Sequence, residues 1–162
     1  MTTKMLSFFA PGIPITQGSK TPMGVKNGKC IMVESAKGLK PWREAVKYAA
    51  IAEKNPDWIP FTGPVKLSAL FAFPRPKNHY KGNDPTRELK PGAPFYHYLS
   101  QKDLDKLLRA VFDALTQANV YRDDGQVAAL EHVVKRYANQ FRVGDNYADE
   151  DPGATIFLRG LE

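Results

Sequence analysis

Four aspartates, in two closely spaced pairs, are the residues of this sequence best suited to chemistry. The first pair is Asp103 and Asp105, and the second is Asp123 and Asp124. Like charges gathered in one place raise each other's pKa unless a cation neutralises them. Mg²⁺ and Mn²⁺ are hard cations that take oxygen ligands and keep several waters, which a substrate phosphate can displace. Convergence of the two pairs would therefore indicate a site for Mg²⁺, with Mn²⁺ as its substitute.

An amphipathic helix is predicted between the two pairs. Apolar residues recur with the spacing of a helix that buries one stripe, at positions 104, 107, 108, 111, 115 and 118. Residues two apart in a helix point in nearly opposite directions, so Asp103 and Asp105 converge only if the helix begins near them. Asn119 and the polar residues 122–126 end the helix, and the apolar run 127–134 predicts a strand. If that strand lies beside the helix start, three or four carboxylates meet.

A structural role for the same acids is the alternative. The residues from Ser100 to Asp103 fit a capping box, in which side chains satisfy backbone N–H groups at a helix start. Asp105 and Arg109 have the i, i+4 spacing of an ion pair on a helix surface. The residues alone leave both interpretations open.

A longer pattern lies within residues 102–130. It reads Asp-Leu-Asp, then Leu, a basic residue four positions after the second Asp, Phe-Asp-Ala-Leu, and finally Asp-Asp-x-Gln-Val. This pattern resembles the RusA family of Holliday junction resolvases. The resemblance implies a RusA-like fold, a homodimer, and paired symmetric nicks in four-way DNA junctions during recombination, repair or phage DNA processing. It also implies that Asp103, Asp105 and Asp124 hold Mg²⁺.

Two basic residues accompany the acids of this pattern. Many members of the family carry Asn where this chain has Lys106, and Lys where it has Arg109. Arg109 matches the position of the family's catalytic lysine and can stabilise phosphate charge. Lysine is easier to deprotonate than arginine, so Lys106 is a second candidate for part of that role. Asp123 is expected to assist or orient the metal site.

The distribution of charge fits a polyanionic partner. The net charge is +6, with 23 Lys and Arg against 17 Asp and Glu. Residues 1–138 hold 21 of the basic residues and 12 of the acidic ones, a surplus of nine, whereas residues 139–162 hold two against five. A basic surface beside a carboxylate site suggests phosphate chemistry on nucleic acid.

Length and composition predict one soluble domain spanning residues 1–162. A hydrophobic content of 43% and a charged content of 25% are ordinary for a globular protein. Cys30 is the single cysteine, and Pro11 and Pro14 interrupt any N-terminal apolar segment, so we expect a cytoplasmic protein without a membrane partner.

The segment from about residue 74 to 102 is predicted to be a long loop that contacts DNA. Its basic residues are Arg75, Lys77, Lys81, Arg87, Lys90 and Lys102, and its rings include Tyr80, Phe95, Tyr96 and Tyr98. Basic groups bind phosphates, and rings such as Tyr96 and Tyr98 can stack on unpaired bases. The alternative is a surface loop whose aromatic residues are buried in the core.

The predicted elements give an α+β fold, with two helices packed on one mixed β-sheet. Strands are predicted at about 6–14, 65–73, 127–138 and 154–159, with a hairpin around Asn27-Gly28, helices at about 40–54 and 102–118, and a loop at 139–153.

Two functions compete with a metal-dependent endonuclease. The first is a branched-DNA-binding module without catalysis, in which the acids only cap and pair. The second is a protein-interaction domain, which would need no basic excess and would not bind DNA in a salt-sensitive way.

Overall fold

Alternating apolar residues form one four-stranded sheet in the computed structural model, which describes residues 3–18, 21–33, 36–99, 101–138, 140–143, 146–149 and 151–161. In chain order the elements are β1 (Met5–Pro11), β2 (Thr21–Lys26), β3 (Lys29–Val33), α1 (Leu39–Glu53), β4 (Val65–Phe73), α2 (Leu104–Gln117), β5 (Val127–Tyr137), β6 (Gln140–Val143), β7 (Asn146–Asp149) and β8 (Gly153–Gly160).

The main sheet is mixed, with the strand order β1-β8-β4-β5. β4 and β5 are parallel, whereas β8 is antiparallel to both of its neighbours, β1 and β4. The predicted α+β fold with two helices on a mixed sheet is confirmed. β1 lies at an edge, which suits a strand that ends in proline.

The core lies between the helices and one face of this sheet. Alternate residues of β4 point inward and are fully buried, including Val65, Leu67 and Phe71. They belong to the same buried cluster as the apolar stripe of α1, represented by Trp42, and that of α2, represented by Val111. The periodicity of α2 therefore fixes which of its residues remain on the surface for function.

Both ends of α2 follow from local chemistry. Asp103 is the N-cap, with an extended backbone (φ −66°, ψ 135°), so the helix begins between the two acids of the first pair. At the other end Asn119 adopts the left-handed conformation at φ 53°. The N–H of Asn119 donates to the Thr116 carbonyl and that of Val120 to the Leu115 carbonyl, which together form a Schellman motif.

The hairpin predicted around Asn27-Gly28 is confirmed as β2–β3. Asn27 (φ 53°) and Gly28 (φ 73°) both have positive φ, as a tight type I′ turn requires. By contrast, the loop predicted at 139–153 is wrong where the structure describes it, because β6 and β7 pair there as an antiparallel hairpin. The polar, acidic composition of residues 139–153 as a whole obscured the alternation of two short strands within it.

The long segment 74–102 contains two short 3₁₀ turns and is held against the end of β5. Tyr80 and Leu89 form a bridge within the segment, and Tyr96 forms another with Arg136. The Tyr137 N–H donates to the Phe95 carbonyl at 3.0 Å. These backbone bonds fix the part of the segment that leads into α2.

Candidate active site

Helix α2 runs antiparallel to β4 and β5. Its start therefore lies beside the ends of these two strands, and its end lies beside their beginnings. At the helix start the Lys135 ammonium, near the end of β5, donates to the Lys102 carbonyl at 2.8 Å. Beyond the helix end the Val120 carbonyl accepts from the N–H of Phe61, which precedes β4, at 2.9 Å. The helix start therefore lies at the carboxyl ends of the parallel pair, an edge where α/β proteins commonly bind ligands.

Asp103 and Asp105 are both exposed at this edge. Asp103 makes no hydrogen bond to cap the helix, and its carboxylate instead accepts from the Lys106 ammonium at 2.7 Å. Side-chain exposure is 53% for Asp103 and 45% for Lys106. The salt bridge is therefore exposed to solvent and contributes little to the free energy of folding. The predicted capping box does not describe this end, because the N-cap is Asp103, and Ser100 lies outside the described residues.

The charges at the helix start shift the pKa values of this pair in opposite directions. The Lys106 ammonium, first through its hydrogen bond and then through its charge, lowers the pKa of Asp103. The Asp103 carboxylate raises the pKa of Lys106, and Asp105 adds to that effect. Lys106 therefore stays protonated at neutral pH, which suits a cation more than a proton acceptor.

Asp124 lies at the other end of α2. A shallow cavity there is lined by Asp113, Thr116, Gln117, Asp123 and Asp124. Asp123 already has a structural partner, because its carboxylate accepts from the Gly125 N–H at 2.8 Å and caps a 3₁₀ turn. Asp124 is exposed in the first turn of that 3₁₀ helix.

One chain does not bring the two acidic pairs together. Asp113, which lines the cavity beside Asp124, is ten residues beyond Asp103, or about 15 Å along a helix that rises 1.5 Å per residue. Among the described residues, no three metal-binding side chains are close enough to hold one cation. The two acidic pairs would meet only if β5 began beside the start of α2. In the structure β5 begins beside the end of α2, so the pairs stay apart within one chain.

Arg109 lies on the exposed side of α2, one turn beyond Asp105. Within the described part of the chain these two residues form no salt bridge, so the predicted surface ion pair is absent. The Arg109 guanidinium is therefore available to bind a phosphate beside Asp103 and Asp105.

The basic residues of segment 74–102 divide into two groups. Lys77, Arg87 and Lys90 are exposed. Arg75 is half-buried, donates to the Pro94 carbonyl at 2.7 Å and packs over the Tyr137 ring, and burial lowers its pKa. Lys102 is also half-buried, near the Phe73 ring. Both residues contribute to the packing of the segment.

The remaining lysine and the aromatic residues of this segment are similarly mixed. Lys81 forms an exposed salt bridge with Glu88 at 2.7 Å. Tyr80 is 3% exposed and belongs to the interior, whereas Tyr96 is 61% and Tyr98 is 73% exposed. Some rings of the segment are therefore buried in the core, and others are exposed, as stacking on bases would require.

Two residues near the site, His97 and Gln17, carried no distinct signal in the sequence. His97 is buried, its ring packs on Phe73 and Tyr137, and burial, followed by the Lys135 charge, lowers its pKa. Gln17 donates from its side-chain amide to the Asp113 carboxylate at 2.6 Å. The sequence distance of 96 residues between Gln17 and Asp113 explains why no local pattern indicated the pair.

Comparison with known proteins identifies one family. Its model, described as endodeoxyribonuclease RusA, matches residues 11–156. No curated protein matches the chain. None of the helices in the described part of the chain is long and apolar enough to cross a membrane.

Proposed function

The chain belongs to the RusA family of endodeoxyribonucleases, and on that premise we propose that it resolves four-way DNA junctions by paired, metal-dependent nicks. The observation that carries the proposal is the start of α2, where two exposed carboxylates lie among basic residues. A nuclease needs this combination, because carboxylates bind the cation and basic groups neutralise the phosphate.

Asp103, Asp105 and Asp124 are the proposed metal ligands, and Asp123 orients the turn that carries Asp124. All three ligands are exposed carboxylates, and an all-oxygen donor set fits Mg²⁺, with Mn²⁺ as a substitute. When bound, the cation would supply an activated water and stabilise charge on the phosphate. The lowered pKa of Asp103 keeps that carboxylate ionised, as metal binding requires.

Arg109 and Lys106 have different roles in this proposal. Lys106 is bonded to Asp103 and has a raised pKa, so it balances charge at the acids and holds Asp103 in place. Arg109 is the group that stabilises charge developing on the scissile phosphate, where a planar guanidinium can form two hydrogen bonds.

The separation of the acids supports a homodimer as part of this proposal. A cation that needs Asp103, Asp105 and Asp124 cannot take all three from one chain if they remain at opposite ends of α2. Two chains related by a two-fold axis, with their α2 helices antiparallel, would place the helix start of one beside Asp124 of the other. The same arrangement forms two sites, which is the number that paired cuts require.

The segment 74–102 is the proposed junction-binding surface. Exposed Lys77, Arg87 and Lys90 would bind backbone phosphates, while Tyr96 and Tyr98 would stack on bases unpaired at the branch point. Lys81 and Lys102 add positive charge, and Arg75 supports the surface from beneath.

The direct test is incubation of the protein with labelled four-way, flap and linear duplex DNA, with and without Mg²⁺. We expect symmetric nicks in the four-way junction only when Mg²⁺ is present. Salt-sensitive junction binding without any cleavage, over a range of metals, would favour the alternative of a non-catalytic branched-DNA-binding module.

A further inference from the structure

The β2–β3 hairpin is a two-stranded ribbon that exposes large apolar side chains. Met23 is 68%, Val25 is 72% and Ile31 is 41% exposed, although large apolar side chains are usually buried. A lone two-stranded hairpin is marginally stable in water. We therefore expect the ribbon to bind another molecule.

The charges of the ribbon indicate what that partner is. Lys26 and Lys29 are directly opposite each other beside the turn, and both are exposed. Like charges in facing positions destabilise a hairpin unless an anion lies between them. The sequence 21–33 contains no Asp or Glu that could relieve the repulsion.

The two faces of the ribbon differ in character. Side chains alternate along a strand, so Ile31 shares a face with Lys29, and the residue opposite Ile31 is Gly24, which has no side chain. Among the side chains that the structure describes, this face presents two ammonium groups and one apolar group, beside the bare backbone of Gly24. Val25 and Cys30 pair on the other face.

We propose that the β2–β3 ribbon is a second DNA-binding site, which lies along a duplex arm of the junction with Lys26 and Lys29 against its backbone phosphates. A two-stranded ribbon fits into the major groove of B-DNA. The inference rests on the proposed function, because it assumes that the substrate is branched duplex DNA. In this arrangement the ribbon contacts a duplex arm of the junction, and segment 74–102 contacts the branch point.

Duplex DNA fits this ribbon better than a second copy of the chain. Two ribbons placed together would bring four ammonium groups into contact, with no acid in residues 21–33 to neutralise them. A phosphate backbone neutralises them directly.

The test compares Lys26→Ala/Lys29→Ala with wild type and with Lys40→Ala/Lys47→Ala, which removes the same charge from α1. Binding to a four-way junction and to linear duplex is measured in metal-free buffer at several salt concentrations. Loss of two phosphate contacts should reduce the slope of log K against log salt by about 1.8. The advantage of wild type over the ribbon variant should therefore shrink about 12-fold between 50 and 200 mM salt. The control should keep the wild-type slope.

Each outcome of the test is informative. Equal slopes for the ribbon variant and the control, with wild type binding DNA, would overturn the ribbon proposal and leave the proposed function intact. Loss of the dimer in the ribbon variant alone would also overturn it and assign the ribbon to a protein interface. Absence of DNA binding in wild type would refute the proposed function itself.

A second readout uses Cys30, the only cysteine of the chain, which is exposed on the ribbon. An iron chelate attached to its thiol generates radicals that cut nearby DNA. We expect cuts in the duplex arms, away from the branch point. Cuts confined to the branch point, or none on bound DNA, would contradict the proposed position of the ribbon.

Discussion

Asp103, Asp105 and Asp124 are predicted to be individually essential for cleavage. Substitution of any one by Asn removes a proposed metal ligand while it preserves shape. Each variant should lose cleavage of a labelled four-way junction in Mg²⁺, yet bind the junction as well as wild type or better, because a negative charge near phosphate is gone. Gel-shift and cleavage assays on the same preparations measure both effects.

Asp113→Asn is the matched control for these substitutions. Asp113 accepts a hydrogen bond from Gln17, and an asparagine oxygen can still accept it. This variant should retain most of its activity. Full cleavage by a folded Asp103, Asp105 or Asp124 variant would remove that residue from the proposed site.

Arg109→Ala should lower the cleavage rate more than it weakens junction binding. A group that stabilises charge in the transition state affects the rate selectively. Lys106→Ala should have a smaller effect, since Lys106 mainly positions Asp103, and single-turnover kinetics separate the two. An inactive Lys106→Ala together with a fully active Arg109→Ala would exchange the two roles.

At the scale of the secondary structure elements, Asn119 determines where α2 ends. Its left-handed conformation costs most residues about 1–2 kcal/mol, whereas glycine adopts it freely. Asn119→Ala should lower the free energy of unfolding by about 1 kcal/mol, and Asn119→Gly should not lower it. Urea denaturation of the two variants checks this. Equal loss in both variants would show that the Asn119 side chain, more than its backbone conformation, stabilises the helix end.

His97 should make the fold sensitive to acid. Burial, with the charges of Lys135 and Lys102, lowers its pKa in the folded chain below its ordinary value of 6.5. The unfolded chain therefore binds the proton first, so stability is fully present above pH 6.5 and declines as the pH falls below it. Part of the decline should remain in His97→Phe, because His79 also has a lowered pKa.

Unfolding by urea at pH 7.5 and at pH 5.5 measures this effect. His97→Phe keeps a ring against Phe73 and should reduce the difference in stability between the two pH values. His132→Asn replaces an exposed histidine and serves as the control. A difference that is unchanged in His97→Phe would contradict the assignment to His97.

Much of the fold could be predicted from local patterns because it depends on local chemistry. The 3.6-residue period located α2, Asn119 marked its end, and Asn27-Gly28 marked the hairpin. The relation between the acidic pairs could not be predicted in the same way. The residues between α2 and β5 are numerous enough to reach either end of a 14-residue helix, so only the packing decides which end Asp124 approaches.

Tertiary contacts also decided which predicted DNA-binding residues are exposed. Tyr80 and Tyr96 occur in the same kind of sequence, yet one is buried and the other is exposed. Arg75 is used to pack Tyr137, a contact across 62 residues that no short pattern encodes. Composition therefore predicts a DNA-binding role for the segment as a whole, whereas the fold decides which of its residues are exposed.

At the scale of the whole molecule, the length of α2 is the reason for which we propose a dimer. Because Asp124 is near one end of the helix and Asp103 and Asp105 are at the other, each proposed site combines acids from two chains. Two identical sites on opposite sides of a two-fold axis match the symmetry of a four-way junction. We therefore propose that neither chain can cut without the other.

Mixed dimers of two inactive variants test this claim most directly. Asp105→Asn and Asp124→Asn chains, co-expressed with different tags and purified as heterodimers, would contain one doubly damaged site and one intact site. Heterodimers of Asp103→Asn and Asp105→Asn are the control, because both of their sites are damaged. On a cruciform plasmid with Mg²⁺, we predict nicked circles from the first heterodimer and none from the second. If the first heterodimer binds the junction but is as inactive as each parent, the proposal of a site shared between two chains is wrong.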